Sequence, residues 1–424
     1  MTLSLLVSTV GSAILARRRS VLVLTTTHSK EDVPMRRFGS ATPLLAALLS
    51  LLAAVTAGAQ GVIKLPIVAE ITGGGASVGA MWRDAVNLAV EDINKKGGIL
   101  GMKLETAVQD TQTDPPTSVA VMRRVLNDKP FAIFGTVYSS STVANMDIAK
   151  QAGIPQFTGS ESVIITQKGN DNIFLTSFGQ DVGMAKFVRW LVDDVKAQKI
   201  ALIWVNNAFG KGGHDMFVQF LKERGKTPVV DISTEVQQAD FTPELTKVRA
   251  SGATHVMVYN HEEENARFMI QLRKMGLTVE PVGETTLCAQ TTITPGGAAV
   301  NGAKCHVGLT AGSPIPLMVD MNRRFQEKYN RVPDHNAFKG YIGVHMLKAA
   351  VQRVGSWDQA KVRACLHNNL FTSSEEPGLL MDVYVNEKGS LDRPSFIVEV
   401  KDQKSVVAKT VGMLGGPYNV RPCK

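Results

Sequence analysis

The chain is 424 residues long, 44% hydrophobic and 20% charged, enough to bury more than one core, because single cores stop growing near about 250–300 residues. Its formal net charge is +8, but six of the 46 basic residues precede Gln60 against two of the 38 acidic ones, leaving 40 basic and 36 acidic residues, a balance of +4. Those 40 are dispersed among acidic residues with no stripe of Lys, Arg and aromatics, which argues against nucleic acid as a partner.

From the N-terminus, Met35-Arg36-Arg37, the apolar stretch 43–55 and the small residues Ala57-Gly58-Ala59 have the layout of a secretory signal. Cleavage is predicted after Ala59, with Met35 as the expected start and residues 1–34 as no part of the protein. The apolar stretch falls short of the roughly 20 residues a membrane span needs. Export implies an oxidising compartment, in which Cys288, Cys305, Cys365 and Cys423 read first as disulfides. Of three possible pairings, Cys288 with Cys305 and Cys365 with Cys423 is favoured, four buried thiols being the alternative. With no C-x-x-C pair and no ligand spacing, neither metal nor cofactor is expected.

Beyond Gln60 short β-rich runs alternate with helical patterns, the mark of parallel sheets built from βαβ units. Strands are predicted at 63–68, 103–108, 131–134, 155–157, 200–205, 228–232, 256–259 and 279–282. Trp82, Ala85, Val86, Ala89 and Ile93 recur at helical spacing up to Gly97-Gly98; further helices are predicted at 117–126, 142–151, 183–195, 212–224, 242–250, 263–275, 318–329 and 337–354. A break near 178–181 and a Gly/Pro-rich crossover at 310–316 divide these into an α/β architecture of two doubly wound parallel-sheet lobes joined by several crossovers. The expected division is residues 60–180 with 310–388 in one lobe, and 181–309 with 389–424 in the other.

In open parallel sheets ligands bind beyond the carboxyl ends of the strands. The hydroxyl-dense loops there, 136–142 and 158–162, make Ser139, Ser140, Ser160 and Ser162 candidates for holding a carboxylate, although serines also simply cap helices. Gly75-Ala76-Ser77-Val78-Gly79 matches the nucleophile elbow G-x-S-x-G and supplies a rival reading, a hydrolase using Ser77; too little chain precedes it for the strands and oxyanion loop of that fold. The glycines from Gly73 miss a dinucleotide fingerprint because Val78 takes its last glycine position, and close approach to a small ligand explains them as well. His261-Glu262-Glu263-Glu264 lacks the second histidine of H-E-x-x-H, and acidic residues in a first helical turn suit the helix dipole. Asn260 and His261 remain cleft candidates, and Glu284, past a strand end, is placed to pair with a ligand ammonium.

The runs AVNLAVEDINKKGGILG at 85–101, QDTQTDP at 109–115, SSST at 139–142, IALIWVNNAFG at 200–210 and QLRKMGL at 271–277 together resemble the type I periplasmic solute-binding proteins of ABC transporters, in particular the branched-chain amino acid (Leu/Ile/Val) binding family. The resemblance implies a monomeric, non-enzymatic periplasmic protein. Such a protein closes on a small amino acid, amide or carboxylate and then docks on a membrane permease. It places Ser139 on the ligand carboxylate, Ser160 and Ser162 in the head-group loop, Phe209 over the ligand, and Glu284 within one residue of the ammonium-binding acid. Val78 stands where some members carry a tryptophan, and Thr113 and Tyr138 where an early disulfide can occur. A ligand-sensing module on the same fold is a further alternative.

Overall fold

The computed structural model describes residues 61–415, 418 and 420–423; the expected signal and its cleavage site lie outside them. The predicted strand at 63–68 is two strands, β1 (Val62–Lys64) and β2 (Ile67–Ala69), because Pro66 between them has no N–H for the ladder. After helix α1 (Ala76–Lys95) the same division recurs in β3 (Lys103–Glu105) and β4 (Val108–Asp110). β1 pairs with β3 and β2 with β4. Helix α2 (Pro115–Leu126) starts at Asp114, whose carboxylate accepts from Thr117 N at 2.8 Å with Pro115 in the first turn. There follow β5 (Ile133–Phe134), α3 (Ser139–Gln151), β6 (Gln156–Thr158), α4 (Val163–Gln167) and β7 (Ile173–Leu175). Their sheet runs β4-β2-β5-β6-β7, all parallel.

Helix α5 (Gln180–Arg189), continued by a π-helical turn at Trp190–Asp194, leads to the second sheet. Here β8 (Ile200–Val205), α6 (Ala208–Lys222), β9 (Val230–Thr234), α7 (Thr242–Ala250), β10 (His255–Tyr259), α8 (Glu262–Lys274), β11 (Glu280–Gly283), α9 (Gln290–Gly296) and β12 (Lys304–Val307) alternate. The chain then forms α10 (Pro316–Tyr329), α11 (His335–Val354) and α12 (Gln359–Leu366). An antiparallel ribbon β13 (Asn369–Phe371), β14 (Val383–Val385) and β15 (Leu391–Asp392) follows, and a hairpin β16 (Ser395–Lys401) and β17 (Lys404–Val411) ends the fold. The second sheet is ordered β17-β16-β12-β11-β10-β8-β9, the hairpin adding antiparallel to β12. Neither the ribbon nor the hairpin is signalled by βαβ alternation.

In both sheets the parallel strands carry the order 2-1-3-4-5 when counted along the chain, with a switch point between the first and third strands. α11 is buried along most of its length and lies on α1, where Gly340 passes Trp82 so closely that a Cβ would stand 2.7 Å from the Trp82 carbonyl oxygen.

Three crossovers connect the sheets, and all three meet at Phe178. The first contains Phe178 itself. In the second, a Cβ on Gly308 would lie 2.8 Å from the Phe178 ring. The third pairs Leu391 with Phe178 as a bridge and sets the Arg393 guanidinium 5.8 Å from its ring centroid. Lys186 of α5, fully buried, adds its ammonium 4.7 Å from the same centroid and ion-pairs with Asp392 at 2.6 Å. Both favoured disulfides are present, Cys288 with Cys305 and Cys365 with Cys423, with Cα separations of 6.1 and 4.9 Å. No described helix is long and apolar enough to cross a membrane.

Candidate functional site

The switch point of the first sheet lies between the loops leaving β2 and β5. Glu70, directly after β2, is fully buried, and its carboxylate accepts from Val137 N and Tyr138 N, both at 3.1 Å. Burial pushes its pKa up to about 7, against the pull of those amides. The amides that a strand end offers to a ligand are therefore partly occupied by the chain's own side chain. The glycine run serves packing: Gly79 abuts the Glu70 backbone and a Cβ on Gly75 would lie 3.0 Å from the Tyr138 ring.

At the second switch point, Asn207 after β8 caps α6 and bonds His261 after β10 at 2.9 Å. The two switch points face each other. The Tyr138 ring stacks on His261 with centroids 4.2 Å apart, His261 on Phe209 at 5.1 Å, and Phe209 on Tyr259 at 4.4 Å. Further bonds join the two sides: Ser162 Oγ donates to the Ala208 carbonyl at 2.8 Å, Thr291 Oγ1 to Asp334 at 2.8 Å, and Asn336 Nδ2 to Glu262 Oε1 at 3.0 Å.

Between them lies a narrow gap with about 20 Å³ of room, that of roughly one water, lined by Val78, Val137, Tyr138, Ser139, Gly159, Glu161, Phe209, His261, Glu262, Thr286, His335, Asn336 and Lys339. Roomier hollows adjoin it, one of about 360 Å³ whose walls include Val307, Leu309 and Val406, but the buried charged groups Glu161, Glu262 and Lys339 line the narrow gap. Lys339, nearly buried, ion-pairs with Glu161 at 2.6 Å and donates to the Gly159 carbonyl at 3.2 Å. Burial and the nearby Glu284 carboxylate raise Glu161, while Lys339 opposes them. Burial, with Asp334 nearby, pushes Glu262 up to about 8. Burial also lowers His261 and, more strongly, His335, so both imidazoles stay neutral near pH 7.

Of the residues singled out from the sequence, Val78, Ser139 and Phe209 line the gap, as does His261. Ser140, one helical step from Ser139, instead faces the outer hollow with Gly74, Gln237 and Arg267. Ser160 is taken up within its own side, its hydroxyl bonded to Thr142 at 2.7 Å and to the Val137 carbonyl at 2.8 Å. Ser162 bridges the two sides outside the gap. Asn260 turns away, its Oδ1 accepting from Thr234. Glu284 is held by His306 Nδ1 at 2.7 Å and by Thr285, and does not line the gap. Ser77 Oγ lies 3.5 Å from a Glu263 carboxylate oxygen, and among the described residues no histidine bonds to it. Sequence reasoning missed Glu161, Glu262, His335, Asn336 and Lys339. None of them carried a signal along the chain, each alone reading as a solvated polar or charged residue.

Comparison with known proteins agrees with this architecture. A P. aeruginosa protein named amino acid binding protein is 28% identical over 305 residues, 70% of this chain and 80% of its own. Leu/Ile/Val-binding protein homolog 3 of Brucella melitensis is 27% identical over 81% of this chain and 93% of its own. Among solved structures, the substrate binding protein LivJ of Streptococcus pneumoniae in complex with isoleucine superposes with a TM-score of 0.74 at 21% identity, covering 83% of this chain and 99% of its own. An ABC transporter solute binding protein from R. palustris in complex with benzoate does so at 0.75 and 20%, covering 84% and 99%. The profile of the periplasmic binding proteins matches residues 62–405, and the chain belongs to that family.

Proposed function

We propose that the chain is the exported solute-binding component of an ABC importer. It takes a small amino-acid-like or carboxylate solute between its lobes and hands it unchanged to a membrane permease. The observation that carries this reading is the meeting of two switch points across one narrow polar gap, with side chains from both sheets in contact across it. A solute that touches both sides stabilises the shut form by its differential contacts. The named ligands of relatives and neighbours, branched-chain amino acids and benzoate, support a solute of that size. The lobes of this reading are residues 60–180 with 310–388, and 181–309 with 389–424. The cluster around Phe178 is the hinge on which they close.

The exported form starts at Gln60, works as a monomer in the periplasm, carries no cofactor and performs no catalysis, Ser77 being a packing residue of the first turn of α1. Thermal-shift screening of the secreted protein against amino acids, amides and carboxylic acids tests the reading, because a solute bound only by the native state raises the melting temperature. Melting that no solute class moves, or turnover of a solute lost in Ser77→Ala, refutes it.

A further inference from the structure

We propose that the segment following β17 is a strap that joins the two lobes a fourth time and limits how far they swing apart. The proposal rests on the reading of two lobes closing about Phe178 and adds a device that sets the range of that motion. β17 belongs to the second sheet up to Val411, which pairs with Ser395. Further along, Cys423 is bonded to Cys365 of α12, and α12 belongs to the first lobe: Gln359 Nε2 donates to the Phe131 carbonyl at 2.7 Å and Arg363 Nη1 to Asn172 Oδ1 at 2.8 Å. Asn369 in β13 holds Arg421 by both edges, accepting from its N at 2.8 Å and donating to its carbonyl at 3.2 Å. The last described residues, grouped with the second lobe by their place in the chain, are thus fastened to the first.

Residues 365–423 thereby close a covalent ring that leaves the first lobe by the third crossover and returns by the strap. The two passages run together. Leu414 N and Tyr418 Oη both donate to Asp392 Oδ2, at 2.8 and 2.7 Å, and the Tyr418 ring centroid lies 4.7 Å from that of Tyr384 in the ribbon. Oδ1 of the same Asp392 takes the Lys186 ammonium, so one carboxylate ties the strap to the third crossover and to the helix that follows the first. A single chain at a hinge turns freely about its φ and ψ, whereas two chains bound side by side and closed by a disulfide turn only together, which removes twisting and wide opening. A narrower open range leaves less freedom to be lost on shutting, so the strap favours solute capture. A disulfide that only pinned a chain end would need no mooring on the carboxylate beside the hinge.

The test is electron–electron double resonance on the secreted protein without solute. Nitroxides are placed on Arg123→Cys in α2 and Lys247→Cys in α7, exposed positions on the helices that follow β4 and β9, the sheet edges far from Phe178. The four native cysteines are paired and take no label. Replacing Cys365 and Cys423 by Ala should broaden the distance distribution about 1.5-fold or more, towards longer distances. A second variant keeps the disulfide and carries about six Gly and Ser residues inserted after Gly412, which adds about 20 Å of reach between β17 and the mooring at Leu414 and should broaden the distribution likewise. Both are checked for native melting, and if the alanine variant does not fold, the insertion decides alone. An unchanged width in either folded variant overturns the proposal and makes the disulfide a clamp on a chain end. No solute enters the experiment, so that result leaves the solute-binding reading standing, which fails only by the thermal-shift screen.

Discussion

Lys186→Met tests whether the convergence at Phe178 holds the two sheets together. The ammonium of Lys186 is buried and donates to Asp392 Oδ1 at 2.6 Å and to the Arg393 carbonyl at 2.7 Å. Burial lowers its pKa, with Asp392 opposing. Removing one partner of a buried ion pair costs about 3–5 kcal/mol, because the other charge is left uncompensated. Asp392 is better placed than most, since it keeps Arg393 N at 2.8 Å, Leu414 N at 2.8 Å and Tyr418 Oη at 2.7 Å. Against that relief, the cation over Phe178 is also lost, a contribution of about 1–2 kcal/mol when desolvated. The expected destabilisation is therefore about 2–4 kcal/mol, read as a lower urea midpoint at unchanged m-value. The double variant Lys186→Met/Asp392→Asn, which removes the stranded charge, should recover part of it. A single variant within about 0.5 kcal/mol of the parent, the range of an ordinary surface change, would refute the view that this buried pair braces the junction.

The buried acids set the pH dependence. Glu70 and Glu262 move from 4.5 up to about 7 and about 8, so the stability they favour is complete below pH 4.5 and drains away as pH rises through 7 to 8. The change is on the order of a few kcal/mol. Glu376, held down to about 2 against burial by His345 and Lys348, acts oppositely, losing its contribution as pH falls from 4.5 towards 2. Urea midpoints should peak on the mildly acidic side, and a rise from pH 5 to 9 would contradict these assignments. Replacing Cys365 and Cys423 by Ala, which frees a separation of 58 residues, should cost about 4 kcal/mol, and replacing Cys288 and Cys305, separated by 17, about 3; denaturant titration of both variants checks the order. Ser139→Ala should weaken solute binding by about 1–3 kcal/mol while Ser140→Ala leaves it unchanged, and calorimetry showing equal loss at both positions would separate Ser139 from the gap.

The alternation of β and helical runs was enough to anticipate the sheets, and 200–205 coincides with β8, since a six-residue apolar run rich in Ile, Val and Trp is too short for a buried helix and suits a buried parallel strand. Strand 63–68 was misread because periodicity ignores the missing N–H of Pro66. Ser139 was legible as a residue following a strand and Phe209 only through the family resemblance, whereas Ser140 was not separable from Ser139 until helical geometry turned it outward. Glu161 and Lys339 lie far apart along the chain, and neither predicts the other. Each alone reads as a solvated charge, and only the packing of α11 against the 158–162 loop makes them a buried pair. The engagement of Glu284 was hidden for a similar reason, its partner His306 arriving from a neighbouring strand.

The repeated winding of the two sheets separates durability from choice. A crevice at the turning point of a sheet is a product of strand order, and strand order is kept by apolar residues that never meet the solute. The few side chains that do meet it stand on connecting segments and on the first turns of helices, where exchange leaves the sheets undisturbed. A scaffold of this kind can thus change its solute by altering a handful of loop positions, while the packing at Phe178 is left untouched.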